Sequence, residues 1–304
     1  MRVFVTGATG YIGNAVVKEL LAGGHEVTGM TRSPEKAKAL EALGARAVVG
    51  DIKDPSTYQE AAAGHDALVH TAVEYSSRGV EADRTAMETL LAVAREGDAE
   101  RQMIFTSGIW VLGETGTEPA YEDTPTDHPP QLVAWRTAHE RQVLDAATDG
   151  LATAVIRPGM VYGGTGGLTA SYFKSAEEHG ASQYLGDGRN RVPFVHVEDL
   201  ARFYRAVIEH RGRGIYHGVD GASPTLQEVA TAASRAVGKG GETRSVPLED
   251  ARQKMGPVAD CLVLDQVILS RRNEELGWRP RHASFPEEMA NAYKEWKDSH
   301  SSRT

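Results

Sequence analysis

Cysteine is almost absent from this chain, since Cys261 is the only one among 304 residues. One thiol can form neither an intramolecular disulfide nor a cysteine-built metal site, and no metal site is predicted. Cys261 lies in the apolar run DCLVLD and is interpreted as a small core residue. No apolar stretch approaches the roughly 18 residues of a membrane-spanning helix, and the first residues resemble a strand rather than a signal peptide. A cytoplasmic protein that does not bind membranes is therefore expected.

The sequence also lacks a long basic run, and its formal net charge is −9. Both features disfavour nucleic acids and anionic membranes as main partners. An anionic cofactor stays compatible with this charge, because local cations and helix ends decide its binding. A length of 304 residues is enough for one large α/β domain with a smaller lobe.

What the first half does contain is an alternation of short β-rich runs with helical patterns. Strands are predicted at Arg2–Thr6, Glu26–Thr31, Arg46–Gly50, Ala67–His70, Gln102–Thr106 and Ala152–Arg157. Helices are predicted at Ile12–Ala22, Pro34–Leu43, Ser56–Ala63, Val80–Arg95 and Leu132–Ala147. This order predicts an α/β fold, a doubly wound parallel-sheet Rossmann domain with a smaller C-terminal substrate-binding lobe.

The domain boundaries follow from where this alternation weakens. Residues 1–160 are assigned to the Rossmann domain, with 190–220 returning to it, and 161–189 with 221–298 to the lobe. Residues 299–304 are expected to form a disordered tail. The proline-rich and acidic segment Glu114–Pro130 is predicted to be a long exposed loop over the carboxyl edge of the sheet.

A glycine turn, GATGYIG from Gly7 to Gly13, follows the first predicted strand and opens the first helix. Glycines allow a tight turn and let backbone approach a pyrophosphate, which the helix N-terminus attracts with free N–H groups. The pattern G-x-x-G-x-x-G alone is a weak signal, but its place in a βαβ unit predicts a dinucleotide site.

The end of the second strand predicts which dinucleotide is bound. An acidic residue there favours NAD, but this chain has Arg32 and Ser33, which suit the 2′-phosphate of NADP. NADP(H) is therefore the predicted cofactor, with a solvated surface charge as the alternative role of Arg32. Asp51 and Ile52 end the third strand, where a carboxylate can accept the adenine amino group and Ile52 can pack on the ring.

The chain resembles the extended and atypical short-chain dehydrogenase/reductases, often called NAD-dependent epimerase/dehydratase-like. Six motifs between Val5 and Ala201 carry the resemblance: TGATGYIG, GDIKD, VHTA, IFTSG, IRPGMVYG and VPFVHVEDLA. The resemblance implies pyrophosphate contacts from Gly7, Thr9, Gly10, Tyr11 and Ile12. It places Thr71, Ala72 and Thr106 at the centre of the cofactor, and Pro158 and Met160 near the nicotinamide.

The usual catalytic set of this family is altered here. Family members carry a serine, a proton-donating tyrosine and a lysine four residues later, often followed by a glutamate. The family's glutamate usually follows the lysine by four residues. If Glu140 is that glutamate, Arg136 stands at the lysine position and Leu132 at the tyrosine position. Leucine cannot exchange a proton, and arginine does not release one near neutral pH.

The remaining members of that set are also displaced. The serine position falls on Gly108, and Ser107 is one residue away. An asparagine on the preceding helix often completes the family's set, and that position falls on Asp83, which could form an ion pair with Arg136. Ser107 and Tyr75 are the candidate acids, whereas His139 is expected to lie outside the site.

Two functions from different classes remain. The first is an NADP(H)-dependent oxidoreductase with a non-standard proton donor, acting on a small molecule, aromatic compounds included. Trp110 and Trp135 are candidates for lining an apolar substrate pocket, with core or interface packing as their alternative role. The second is a redox-inactive NADP-binding protein, either a sensor or regulator, or a non-redox isomerase or cyclase. A homodimer through the helices at Val80–Arg95 and Leu132–Ala147 is a further expectation.

Overall fold

Seven parallel strands form the central sheet, in the order β10-β6-β5-β4-β1-β2-β3. The structure is a computed structural model, and it describes residues 1–74, 76–96 and 100–301. The strand order reverses between β1 and β4, because the chain first builds outward through β2 and β3 and then returns. In open α/β sheets, ligands bind in the crevice at such a switch point, beyond the carboxyl ends of the strands. The predicted doubly wound α/β fold is confirmed.

The elements alternate through the first half and become less regular after β6. The strands are β1 Arg2–Thr6, β2 Glu26–Thr31, β3 Arg46–Val49, β4 Ala67–His70, β5 Arg101–Thr106, β6 Leu151–Pro158, β7 Met160–Tyr162, β8 Ser182–Leu185, β9 Phe194–His196, β10 Gly214–Gly218 and β11 Thr243–Val246. The helices are α1 Tyr11–Ala22, α2 Pro34–Ala42, α3 Gln59–Ala62, α4 Gly79–Arg95, α5 Trp135–Asp145, α6 Ala170–His179, α7 Val197–Glu209, α8 Leu226–Ala236, α9 Leu248–Met255, α10 Val258–Leu262 and α11 Phe285–Ser301.

The central strands are apolar almost throughout because helices cover both faces of the sheet. All eight residues of β6 are buried, and so are the four of β4. Helices α1 and α7 pack on one face, where Val16, Leu20 and Phe203 are fully buried. Helices α4 and α5 cover the other face. The site residues at the carboxyl edge therefore rest on a rigid base.

A smaller lobe is built on the C-terminal segments. Strands β8 and β11 pair in parallel, and helices α6, α8 and α11 pack around an aromatic core that includes Phe173 and Phe285. Strand β10 lies at the edge of the large sheet, beside β6. Within the described ranges, no helix is long and apolar enough to cross a membrane.

The segment Glu114–Pro130 differs from the exposed loop expected from its prolines. Ala120 N–H donates to Val267 O at 2.8 Å, and Leu269 N–H donates to Ala120 O at 3.0 Å. Ala120 and Glu122 are 3% and 9% exposed. The segment is thus fixed against residues 265–271 by strand-like backbone pairing, which its sequence does not reveal.

Two predicted boundaries also need correction. Helix α5 begins at Trp135, so Leu132 lies in the turn that precedes it. Helix α11 continues to Ser301, so residues 299–301 are helical rather than a disordered tail, and 302–304 lie outside the described residues.

Candidate functional site

The glycine turn at the end of β1 is fixed by close backbone contacts. Gly7 has φ +66°, and a Cβ there would lie 2.7 Å from the backbone of Ala72. A Cβ on Gly13 would lie 2.2 Å from Gly7 O. No side chain among the described residues caps the N-terminus of α1, which begins after Gly10. Free N–H groups and a tight turn without side chains fit a pyrophosphate.

Tyr11 joins this turn to the lobe. Its hydroxyl donates to Gly163 O at 2.6 Å, and burial raises its pKa above the ordinary value, so it stays a neutral donor. A Cβ on Gly167 would lie 2.8 Å from the Tyr11 ring. The Tyr11 side chain therefore anchors the 163–167 loop beside the turn. Because its hydroxyl is already bonded, Tyr11 would contact a phosphate through its backbone N–H. Ile12 is half-buried against the core.

Arg32 lies at the end of β2, with its side chain 61% exposed. Its Nη1 donates to Glu74 Oε2 at 2.7 Å, an acidic partner that the sequence did not suggest. Ser33 caps α2 by accepting the Lys36 N–H at 3.2 Å, and its hydroxyl donates to Glu35. The basic and hydroxyl groups expected at an adenosine 2′-phosphate are present, each with a local partner.

The two residues expected to hold adenine, Asp51 and Ile52, only partly fit that role. The carboxylate of Asp51 is one-third exposed; its Oδ1 accepts the Lys53 N–H at 3.0 Å, and its Oδ2 lies 3.6 Å from Lys53 Nζ, so an adenine would share this carboxylate with Lys53. Ile52 is 5% exposed and belongs to the buried cluster with Met30 and Tyr58. Little of its side chain is left to cover an adenine ring.

Threonines at the carboxyl ends of β1, β4 and β5 make short side-chain contacts that hold these strand ends in place. Thr71 Oγ1 donates to Thr6 O at 2.7 Å, and Ala72 N–H reaches Thr6 Oγ1 at 3.4 Å. Thr106 Oγ1 lies 2.6 Å from the hydroxyl of buried Tyr204. The strand ends that would line a cofactor are thus held by short side-chain contacts.

Asp83 is buried between two histidines. Its Oδ2 lies 2.8 Å from His139 Nδ1, and its Oδ1 lies 3.3 Å from His70 Nε2. All three side chains are at most 4% exposed. Burial alone would raise the pKa of Asp83, but the hydrogen bond from His139, the neighbouring His70 ring and the charge of Arg136 outweigh it, and its pKa lies well below the ordinary value. The carboxylate is therefore ionised.

Arg136 acts on Asp83 through its charge, whereas each oxygen of Asp83 has a histidine neighbour. This differs from a simple Asp83–Arg136 ion pair. Arg136 Nη1 donates to Thr106 O at 3.0 Å, and its guanidinium lies 4.4 Å from the centre of the Trp135 ring. The cation is thus held at the carboxyl end of β5.

Ser107 follows β5 and offers a free hydroxyl. The residue is 8% exposed, and its Oγ has no hydrogen-bond partner among the residues that the structure describes. A buried polar atom without a partner carries a free-energy cost, unless a ligand or water satisfies it. Tyr75, the other candidate acid, lies outside the described residues.

The NAD dependent epimerase/dehydratase family model matches residues 3–217. The chain belongs to this family. Its members include NAD(P)-dependent reductases, dehydrogenases and epimerases.

Individual relatives cover nearly the whole chain. The Schizosaccharomyces pombe protein C2A9.02 is 31% identical over 96% of this chain and 99% of its own length. A Stigmatella aurantiaca 4-hydroxy-2-methyl-3-oxo-4-farnesyl-3,4-dihydroquinoline-1-oxide ketoreductase is 28% identical over 83% of this chain and 78% of its own. The dTDP-glucose 4,6-dehydratase DesIV of Streptomyces venezuelae, solved as a double mutant with NAD bound, superposes with a TM-score of 0.79 at 25% identity over 99% and 98% of the two chains.

Two buried groups of this epimerase/dehydratase-family chain were missed from sequence. His139 lies three residues after Arg136 and Glu140 lies four after it, so all three share one face of α5. His139 is 3% exposed and contacts Asp83, so it lies beside a candidate site residue, although it was expected outside the site. Glu140 receives two hydrogen bonds from Arg157, at 3.1 and 2.6 Å, which fix α5 to β6. Helical spacing could have found both.

A small apolar cavity lies between the Rossmann domain and the lobe. It measures about 20 Å³, room for roughly one water. Met160, which begins β7, is part of its wall, and Pro158 ends β6 just before it. The other lining residues are Trp110, Tyr172, Val192, Phe194, Leu226, Cys261, Leu262, Leu264 and Gln266. None of these lining side chains carries a charge.

Proposed function

We propose that the chain is an NADP(H)-dependent oxidoreductase that acts on a small, uncharged and mainly apolar molecule, aromatic compounds included. Its proton-donor site lacks the usual tyrosine. The observation that carries the proposal is the buried, unpartnered hydroxyl of Ser107 at the carboxyl end of β5, next to the carbonyl that holds Arg136.

The cofactor groove supports NADP(H) through several residues. The Gly7–Gly13 turn would hold the pyrophosphate, and Arg32 with Ser33 the 2′-phosphate. Arg136 would donate to the nicotinamide ribose, and Pro158 and Met160 would lie beside the nicotinamide. When bound, this cofactor supplies hydride-transfer chemistry.

Proton transfer has to proceed without a tyrosine. Leu132 stands at the tyrosine position and has no exchangeable proton, and Arg136 keeps its own. Ser107 Oγ–H would donate a hydrogen bond to the substrate oxygen, and water or a substrate hydroxyl would replace the proton that it gives up. Ser107 is thus the residue that contacts the substrate, and Arg136 stabilises negative charge near it.

Asp83 is proposed as a positioning residue. Its ionised carboxylate lies close enough to Arg136 for each charge to act on the other, and His70 and His139 hold that carboxylate in place. The guanidinium would then keep one orientation at Thr106, where the ribose is expected.

The walls of the cavity favour a neutral substrate. Arg191 precedes the lining residue Val192, but it makes two hydrogen bonds to Asp265, at 2.8 and 2.5 Å. A cation neutralised in this way is a poor anchor for the diphosphate of a nucleotide sugar. The ketoreductase relative from Stigmatella aurantiaca acts, by its name, on a ring ketone that carries a farnesyl chain, which agrees with an apolar site.

Leu132 also motivates the alternative of a redox-inactive NADP-binding protein, either a sensor or a non-redox isomerase or cyclase. The deciding experiment follows NADPH oxidation with a panel of neutral aryl ketones, quinones, aldehydes and enones. We expect turnover with at least one class and a loss of about 100-fold in Ser107→Ala. Thr153→Val is the matched control, because Thr153 Oγ1 is equally buried and unpartnered but lies within β6.

The outcomes separate the two functions. Tight NADPH binding without oxidation by any class would favour the redox-inactive alternative. Turnover that is equal in wild type, Ser107→Ala and Thr153→Val would keep the oxidoreductase and remove Ser107 from the reaction. Absence of nucleotide binding would contradict both functions.

A further inference from the structure

We propose that Glu74 is a specificity-determining residue, which lowers the preference of this chain for NADP(H) over NAD(H) through its ion pair with Arg32. The inference rests on the proposed cofactor site and concerns the balance between two forms of the same nucleotide. The pair joins Arg32 Nη1 to Glu74 Oε2 at 2.7 Å.

The position of the pair follows from the strand order. Arg32 follows β2, Glu74 follows β4, and these two strands flank β1 on either side. The glycine turn that begins at Gly7 follows β1. The ion pair therefore spans the carboxyl end of β1, beside the place where a dinucleotide would cross from its adenosine to its pyrophosphate.

The two partners differ in burial. The side chain of Glu74 is 15% exposed, whereas that of Arg32 is 61% exposed. The carboxylate is thus the more fixed partner, and the guanidinium is the one that can turn toward a ligand. The backbone carbonyl of Glu74 lies close to Gly79, where an added Cβ would lie 2.2 Å from Glu74 O. An acid in this place acts on whatever Arg32 binds.

A 2′-phosphate meets this acid in two unfavourable ways. It competes with the carboxylate for the N–H groups of Arg32, and it carries a charge of the same sign as Glu74. Glu35, hydrogen-bonded to the hydroxyl of Ser33, adds a second negative charge on the same side. Arg32 consequently recognises the phosphate with part of its charge already compensated.

A free ribose 2′-hydroxyl meets the same acid favourably. Carboxylates at this edge of dinucleotide sites accept hydrogen bonds from the ribose hydroxyls of NAD. Once Arg32 moves aside or is removed, Glu74 is such an acceptor. One residue of the pair therefore favours NADP(H) and the other favours NAD(H), and the ratio of the two affinities depends on both.

Fluorescence titration of wild type, Glu74→Gln, Arg32→Ala and the double variant with NADPH and NADH tests the inference. The fragments 2′,5′-ADP and 5′-AMP, which differ only in the phosphate, are titrated in parallel by calorimetry. Glu81→Gln is the matched control, because it also removes one negative charge, from an exposed ion pair with Arg78 at the start of α4.

We expect Glu74→Gln to raise the ratio of NADPH to NADH affinity about threefold to tenfold, with the same trend in the fragments. Arg32→Ala should weaken NADPH binding about tenfold or more and leave NADH binding unchanged or tighter. In the Arg32→Ala background the further change Glu74→Gln should weaken NADH and 5′-AMP. Glu81→Gln should leave the ratio unchanged.

A ratio in Glu74→Gln that stays within about twofold of wild type, or falls, overturns the inference. If wild type binds NADPH in an Arg32-dependent manner while the ratio does not respond to Glu74, only this inference fails. If wild type binds neither nucleotide nor fragment, the proposed function fails together with it. A uniform loss of both cofactors in Glu74→Gln also overturns it, since that result indicates a structural role.

Discussion

The proposed cofactor groove has a glycine-turn end, Gly7–Gly13, and a proposed nicotinamide end around Asp83 and Arg136. Backbone contacts hold the first end, and side-chain contacts hold the second. At the first, backbone lies against backbone: Gly7 against Ala72, and Gly13 against Gly7. At the second, side chains far apart in sequence hold one another, as His70, Asp83 and His139 do. A shape made by backbone tolerates no change at its glycines, whereas a cluster of side chains can be rebuilt member by member.

Gly13→Ala should break the glycine-turn end with the largest effect. The added Cβ would lie 2.2 Å from Gly7 O and 2.6 Å from Thr71 Oγ1, and the backbone oxygen cannot move away cheaply. We expect a loss of about 3 kcal/mol or more in the free energy of unfolding, together with loss of NADPH binding. Chemical denaturation and fluorescence titration measure both.

Gly150→Ala is the control for that prediction. No atom of the described chain lies within 4 Å of a Cβ placed on Gly150, and its φ is not positive. It should change stability by less than about 1 kcal/mol. Equal effects at Gly13 and Gly150 would contradict a sterically fixed turn.

Asp83→Ala should break the nicotinamide end, with an expected destabilisation of about 3 kcal/mol, because it leaves buried His139 without its acceptor and removes the carboxylate beside buried His70. The pKa of Asp83 is lowered in the fold, so its stabilising contribution is present above the ordinary carboxylate range and is lost as the pH falls below it. The stability difference between wild type and variant should therefore begin to shrink as the pH falls below about 4 and should keep shrinking as the pH is lowered further. Glu81→Ala, which breaks an exposed pair, should cost less than about 1 kcal/mol.

The sequence predicts the end that is built from backbone better than the end that is built from side-chain contacts. The glycine turn and the β-strands were predictable because their signals are local and periodic. The partners of Asp83 were not, because His70 and His139 reach it through tertiary packing, although the helical spacing of Arg136, His139 and Glu140 pointed to one buried face. The 114–130 segment was misjudged because its prolines indicate a loop, while its pairing with residues 265–271 is a long-range contact.

Asp220, which follows β10, offers a further test away from both ends. Its N–H donates to Phe194 O, burial raises its pKa to about 7, and its Oδ2 has no partner among the described residues. The folded state holds a proton that the unfolded chain has lost between about pH 4 and pH 7, so stability falls as the pH rises through this window and is level above it.

Asp220→Asn should remove that loss. The variant and wild type should be similar near pH 4, and the variant should be more stable at pH 8 by about 2 kcal/mol, within a limit of about 4 kcal/mol. Thermal unfolding at several pH values measures the difference. A stability difference that is constant between pH 4 and pH 8 would contradict the raised pKa.

Ser107→Ala should have the smallest effect on stability. It tests whether a residue at the nicotinamide end serves the substrate and not the fold. Its hydroxyl is buried and has no partner in the part of the chain that the structure describes, so removing it should change the free energy of unfolding by less than about 0.5 kcal/mol, or stabilise the fold slightly. Thr106→Val, in contrast, removes the 2.6 Å contact with Tyr204 and should cost about 1 kcal/mol. Ser107→Ala that keeps its stability and NADPH affinity but loses turnover would identify a hydroxyl kept for the substrate. A marked loss of stability would instead show that Ser107 is held by the fold, and the site would then need another proton source.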